Sequence, residues 1–319
     1  MMNYLVKRIL ISLPTLLTIS VVIFLILALA PGDPLSEFAS NPNITQEVRE
    51  NLRQSLGLDK PIYIRYFKWL FAFLQGNLGY SFSSRSPVFN LILQRLPNTL
   101  MIVGVAYFIS VFMAIPLGLI SAIKRYSFLD NIITIISFFG YSIPPFFSGL
   151  LLIIIFSVQL KWLPFIYDSN LEIINFATFF AQIKQSIMPI MVLSLYQTAI
   201  LMRFMRSSVT EELSHDYVRT AYSKGLNSYQ VVVNHIFRNA LIPVITLIAL
   251  DIPSIFTGAL VTEQIFRIPG IGALLIDSIY RSDTPVIMAI AMIYGILIVI
   301  FNLIADLTYS WLDPRVKLH

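Results

Sequence analysis

Charged residues are absent from six stretches of this chain: Ile9–Gly32, Leu96–Ile123, Asn131–Leu160, Gln185–Met202, Asn239–Thr262 (interrupted only by Asp251) and Thr284–Ala305. Read as helices, each supplies the roughly 20 residues that cross about 30 Å of hydrocarbon, the fourth only barely. Pro14, Pro116, Pro189, Pro243 and Pro253 fall inside these spans. Membrane helices tolerate such prolines because neighbouring groups satisfy the freed carbonyl. The adjacent pair Pro144-Pro145 predicts a break in the third span. Between the fourth and fifth spans the pattern turns polar, at SHDYVRTAYSKGLN (Ser214–Asn227). That segment cannot lie in hydrocarbon. Ser214 suits an N-cap, Asp216 the positive end of a helix and Gly225 its terminator. Asn227 or Ser228 then caps a second helix whose partly apolar face is Val231, Val232, His235 and Ile236. Ala221 and Gly225, small and four apart, suit close approach to a partner, so the segment reads as a docking element.

The stretch between the first two spans, roughly 33–95, is too long for a simple connection. Thr45, Val48, Leu52, Leu56 and Gly57 outline a short capped amphipathic helix. A second begins at Pro61 with the stripe Ile62, Tyr66, Trp69, Leu70 and Phe73, whose aromatics suit the headgroup level. Together they predict a small helical cap on the bundle.

Composition agrees with a polytopic, all-α membrane protein of six transmembrane helices. Of 319 residues 12% are charged and 57% apolar, where a soluble domain is nearer a quarter charged. Lys7-Arg8 before the first span and Ala28-Leu29-Ala30 after it resemble a signal peptide, but the apolar region is too long, so the span is expected to be retained. The net charge of +5 is lopsided. One side carries Lys7, Arg8, Lys124, Arg125, Arg203, Arg206, Arg219, Lys224, Arg238, Arg315 and Lys317; short loops on the other carry only Lys161, Lys184, Arg267 and Arg281. The positive-inside rule then places both termini and Ser214–Asn227 in the cytoplasm, and 33–95 outside. No nucleic acid is needed to explain the charge.

Catalytic chemistry finds little support. With no cysteine there is no disulfide, thiolate metal site or thiol nucleophile. His215, His235 and His319 have no metal-ligand spacing. SKGL (Ser223–Leu226) is not a phosphate-binding loop. No catalytic residue and no metal site is therefore expected, and active transport would draw on an ion gradient or another polypeptide. Asp251, in LIALDIPSIF, costs on the order of 2.5–3.5 kcal/mol at a helix centre and should face the bundle interior or a water-filled path. It is either a structural acid or, with the Pro144-Pro145 break, part of a translocation path. Glu263 falls at the outer end of the fifth span, where water is expected to reach it.

At DYVRTAYSKGL…HIFRNALIPVIT (Asp216–Leu226, His235–Thr246) the sequence resembles the first, B-type membrane permease of bacterial oligopeptide, dipeptide and nickel ABC importers. APGDP (Ala30–Pro34), GLDKPIYIRYFKWL (Gly57–Leu70), GNLGYSF (Gly76–Phe82), RLPNTL (Arg95–Leu100), VTEQIFRIPGIG (Val261–Gly272) and LIADLTYSWLDPR (Leu303–Arg315) match in order. The resemblance implies a type I ABC importer permease fold, with a first part at 1–32, an external helical segment at 33–95, and a permease core at 96–319 whose cytoplasmic coupling loop is 207–238. It also implies a bacterial cytoplasmic membrane location. The implied partners are a homologous second permease in a heterodimer, two P-loop ATPases that carry the ATP and magnesium, and an extracytoplasmic substrate-binding protein. No cofactor is implied for this chain. The family's Glu-Ala-Ala–three residues–Gly motif falls on Arg219, Thr220, Ala221 and Gly225, its glutamate and first alanine replaced; Pro243 comes later than the general motif places it. ATPase coupling is thus expected from Asp216, Tyr217, Arg219, Thr220, Ala221, Lys224 and Gly225. An outer gate or binding-protein seat is expected at residues 261–283, with Glu263, Pro269, Gly270 and Gly272, the glycines breaking the backbone before a short interfacial helix. Peptides are the implied substrate. Nickel or a metal chelate, glutathione, and a proton-driven secondary carrier working through Asp251 are the alternatives; a membrane-embedded enzyme lacks a nucleophile–base pair.

Overall fold

A computed structural model describes residues 2–29, 50, 59–169, 171–257 and 259–312. The first helix expected in the cap, around Thr45 to Gly57, lies outside these residues, as does APGDP. Among the described residues the regular structure is helical. It comprises α1 (Met2–Leu29), α2 (Ile62–Leu74), α3 (Val88–Ile123), α4 (Phe128–Ser142), α5 (Pro145–Gln159) and α6 (Phe176–Leu213). After the short α7 (Asp216–Ser223), α8 runs on through Ser228–Val231, Val232–Ile236 and Phe237–Thr257. Then come α9 (Leu260–Ile265), α10 (Ile271–Tyr280) and α11 (Thr284–Leu312). Leu100–Gly104, Ile153–Gln159 and Val232–Ile236 are wound as π-helix, a form that concentrates at functional positions.

Five helices are long and apolar enough to cross a membrane: α1 over Leu10–Leu29, α3, α6, the α8–α9 run Ser228–Ile265, and α11 over Thr284–Leu307. α4 and α5, bent by 100° at the expected prolines, bring the number to six when the bent pair is counted as one span. The bend has a local cause. Ile143 and Pro144 each precede a proline, which disfavours helical backbone, and both are extended, at ψ 119° and 139°. Pro145 then opens α5, where a missing N–H costs nothing. The five other prolines stay inside their helices without breaking them.

α6 is the axis of the bundle, packed against α3, α4 and α8. At 38 residues it is about 57 Å long, well beyond the hydrocarbon thickness of about 30 Å. The fourth span is thus far from marginal: its charged ends are helical extensions past the membrane, and one of them delivers the chain to α7. α8 packs on α11, and α1 stands at the edge against α11 and α2. Tyr66, Trp69 and Phe73 of α2 face inward: Tyr66 and Trp69 lie against Phe24 of α1, with ring centroids 5.4 and 6.0 Å away. Aromatic packing against a neighbouring helix thus orders the stripe.

Candidate functional site

The bundle presents one candidate site at each end and one between. At the α7 end, α7 is two-faced. Val218 and Ala221 are buried in a cluster with Met205 and Val209 of α6 and Val231, Ile236, Ala240 and Val244 of α8. Asp216, Arg219, Thr220, Tyr222 and Lys224 point away and are exposed. Tyr217 is half-buried and donates its hydroxyl hydrogen bond to Glu212 of α6. Burial, reinforced by that bond, pushes its hydroxyl up to about 12, so it remains a donor at any physiological pH.

Three local expectations need correction here. Ser214 does not cap α7; it closes α6, its hydroxyl bonded to the Glu211 carbonyl at 2.7 Å, and His215 precedes α7 without a side-chain cap. Ala221 is small because it packs inside its own chain, not to admit a partner. Gly225 crowds nothing either, since a Cβ there would meet no atom within 4 Å; it sits at φ +83°, where a side chain is strained. The Gly225 N–H bonds the Tyr222 carbonyl at 2.9 Å and the Leu226 N–H that of Ala221 at 3.3 Å, a Schellman closure of α7. The second helix starts as expected, capped by Asn227 in a reciprocal pair with Gln230. It is not a separate element, however, but the first turn of α8. α7 is therefore wedged between the ends of two long helices.

Sequence reasoning missed Asp130, near the same end. It is 2% exposed, accepts from Ser121 Oγ and the Tyr126 N–H, and pairs with Arg206 of α6 at 2.9 Å. Ser127, three residues before, caps α4, and that spacing was visible; the partner 76 residues away was not. The cluster ties α3, α4 and α6 together just above α7.

At the opposite end, Glu263 lies against α10 and, contrary to expectation, is 0% exposed. Its Oε1 accepts from Thr99 Oγ1 and its Oε2 from the Ala273 N–H, both at 2.9 Å. The Thr99 hydroxyl itself accepts the Ile271 N–H at 2.8 Å, so its single hydrogen goes to Glu263. Both carboxylate oxygens are thus acceptors, at the positive end of a helix. This explains the glycines. A Cβ on Gly270 would stand 2.4 Å from the Glu263 carboxyl, and one on Gly272 2.9 Å from Oε2. Gly270 has ordinary extended backbone and precedes α10 as its cap, so space rather than a backbone break selects it. Nor is α10 merely interfacial: Ile271, Ala273 and Leu274 are buried. Asn98 donates to the Pro269 carbonyl at 3.1 Å. All four residues expected at this gate therefore meet in one knot with Asn98 and Thr99 of α3.

Two further clusters at this end had no sequence signal. Gln182 of α6 donates to the Tyr167 hydroxyl, and Gln185 to Gln182 Oε1 at 2.7 Å. Asp283, 1% exposed, accepts from Ser83 Oγ at 2.8 Å and from the Phe82 and Ser83 N–H groups at 3.0 and 3.2 Å. It pins the GNLGYSF segment to the turn before α11.

Between the two ends, Asp251 of α8 is half-buried and accepts from Gln197 Nε2 of α6. The Pro144-Pro145 corner is held locally, Ser148 Oγ bonding the Pro145 carbonyl at 3.0 Å. Asp251 and the corner bracket α6 without forming one side-chain cluster.

Sequence comparison matches these features to known proteins. A binding-protein-dependent transport system inner membrane component model matches residues 114–318, and the N-terminal model of such membrane components matches residues 1–103. The oligopeptide transport system permease protein AppB of Bacillus subtilis is 42% identical over 99% of this chain and 100% of its own length. A putative peptide permease protein of Brucella suis is 40% identical, and the glutathione transport system permease protein GsiC of Escherichia coli K12 35% identical, each over 99% of both chains. Members of this family work with ATPase and substrate-binding partners. The chain belongs to the binding-protein-dependent transport system inner membrane components: it is a multi-pass inner-membrane permease subunit, with the type I importer fold, of an ATP-binding-cassette importer, and not itself an enzyme.

Proposed function

We propose that this permease passes short peptides inward across the cytoplasmic membrane and that α7 is the element through which partner ATPases drive it. The observation that carries the reading is the two-faced α7. Its buried face is fused to α6 and α8, so a force on the exposed face of Arg219, Thr220, Tyr222 and Lys224 is delivered to two full-length helices at once. Transport then follows from the different contacts of the inward- and outward-facing states, with no chemistry in this chain. Both termini and α7 face the cytoplasm in this reading, supported by the excess of Lys and Arg on that side. The Glu263–Gly270 knot faces outward, where the substrate-binding protein delivers peptide. A homologous second permease completes the path, and two ATPases, which hold the ATP and magnesium, complete the importer. Peptide is favoured over glutathione, nickel or a chelate because relatives named for peptides match at the higher identities.

Extraction of the tagged chain in mild detergent should recover one homologous permease and P-loop ATPases in fixed ratio. A monodisperse chain free of any ATPase would defeat the proposal and return the proton-driven carrier.

Asp251 we place on the path. In Asp251→Asn the side-chain oxygen still accepts from Gln197, so the change isolates the charge. Uptake should fall while the yield of assembled complex holds. Unchanged transport kinetics would leave Asp251 a structural acid.

A further inference from the structure

We infer that this permease bends within its own chain: a block at the α10 end turns on a block at the α7 end, at one level where four helical connections between them are interrupted or weakened. The α10 block is tied by side chains from distant parts of the sequence. Glu263 joins α9 to Thr99 of α3 and to α10. The Tyr167 N–H bonds the Phe266 carbonyl at 3.2 Å, and its hydroxyl donates to Asn98 Oδ1 at 3.4 Å while accepting from Gln182 of α6. Asp283 holds Ser81 and Ser83 at the start of α11. The α7 block is tied as firmly. Asp130 pairs with Arg206 at 2.9 Å, Val218 and Ala221 are buried between α6 and α8, and a Cβ on Gly118 of α3 would stand 2.7 Å from Met205 of α6.

Between the blocks the helices lose their regularity together. In α3, Thr99 belongs to the knot and Leu100–Gly104, directly after it, is π-wound, which breaks the helical register where the α10 block ends. Ile102 of that turn packs with Met188 and Val192 of α6, which flank Pro189. Proline there leaves the Gln185 carbonyl without its helical donor and weakens α6 at the same level. A Cβ on Gly104 would meet Ile255 of α8 at 3.9 Å, one turn before Ala259, whose φ −93° and ψ 82° leave the helical range between α8 and α9. α4 runs beside α6, where a Cβ on Gly140 would lie 3.3 Å from Leu195 and Ala199, and one turn later it reaches the Pro144-Pro145 corner. α11 passes this level unbroken, and there the bundle leaves room. An apolar cavity of about 70 Å³ lies between Leu96 of α3, Phe256 of α8, Ile271 of α10 and Ile290, Ile293 and Leu297 of α11. Protein interiors are otherwise close-packed, so the void gives Phe256 and its neighbours a place to go when α8 tilts. With α7 fused to its other end, α8 is a lever whose fulcrum is Ala259, which deepens the proposal that α7 is the driven element.

The chain's lack of cysteine makes the test direct. Spin labels are placed in pairs at Phe128→Cys and Tyr229→Cys in the α7 block and at Tyr80→Cys and Tyr280→Cys in the α10 block, all exposed positions. Distances are read by electron resonance in the complete importer in lipid nanodiscs, nucleotide-free and trapped with ATP and vanadate. Phe128 lies about 24 Å along α4 from the corner, so a turn of the order of 15° moves a label there by about 6 Å. The cross-block distances Phe128–Tyr280 and Tyr229–Tyr80 should change between the two states, while Phe128–Tyr229 and Tyr80–Tyr280 stay fixed. Equal changes within the blocks, or four fixed distances in an importer that takes up peptide, would overturn the inference. Ile293→Phe or Leu96→Phe, which fill the cavity from opposite walls, should hold the cross-block distances at one value and cut uptake severalfold without lowering the unfolding midpoint. Normal uptake by a folded variant of either kind would count against the hinge. In Thr220→Glu the cross-block distances should no longer respond to nucleotide; if they still do, the hinge stands and α7 is not its driver.

Discussion

Glu263→Ala is expected to destabilise the assembled permease by on the order of 2–5 kcal/mol and to abolish uptake, because it empties a closed site and orphans two buried donors. The Ala273 N–H and the Thr99 hydroxyl lose their acceptor with nothing to replace it. Glu263→Gln should cost less, about 1–3 kcal/mol. One oxygen survives, but the amide NH2 then opposes a donor, since Thr99 must donate and so must Ala273. Gly270→Ala should resemble the loss of Glu263, its Cβ requiring the space the carboxyl fills at 2.4 Å. The decisive comparison is the double variant. Once Glu263 is alanine the Gly270 Cβ has room, so Gly270→Ala should lower the unfolding midpoint in the parent and hardly move it in Glu263→Ala. Additive losses, measured by thermal unfolding of the purified complex, would show that Gly270 and Glu263 act independently.

Val218→Asp and Thr220→Glu, two positions apart on one short helix, should fail in different ways. Val218 is 3% exposed inside the α6–α8 cluster, so an aspartate there is a buried, unpaired charge costing about 3 kcal/mol or more. Its unfolding midpoint and its uptake should fall together. Thr220 is exposed, and its replacement should change stability by no more than about 0.5 kcal/mol. If the outer face of α7 is the ATPase seat, Thr220→Glu should still reduce uptake about tenfold or more, the equivalent of about 1.4 kcal/mol of lost docking. Normal uptake in both Thr220→Glu and Tyr222→Glu would remove α7 as the coupling element. A fall in the unfolding midpoint of Thr220→Glu would show that the two faces are not distinct.

Much of this was legible from local pattern alone. Charge-free runs located every span, the proline pair located the 100° corner, and a polar segment with a late glycine located α7. These follow from short-range rules: hydrocarbon excludes charge, proline excludes the preceding helical residue, and a left-handed cap selects glycine. The collinear motifs carried the family with equal directness. What local pattern could not supply was which surface each residue faces. Glu263 looked water-accessible from its place at a span's end, yet the return of α10 over it and the approach of Thr99 from α3 leave it fully buried. Ala221 looked like a partner contact, yet the spacing of α6 and α8 turns it inward. The aromatic stripe of α2 was visible as a stripe, but not that Phe24 of α1 packs against it. The partners of Asp130 and Asp283 gave no signal, because Arg206 and Ser81 lie 76 and 202 residues away. The amino-acid order by itself determined where helices begin, end and bend, since those depend on neighbours a few residues apart. Only the tertiary structure decided which faces are buried and which polar groups pair, because those contacts join segments whose separation along the chain carries no trace of their meeting.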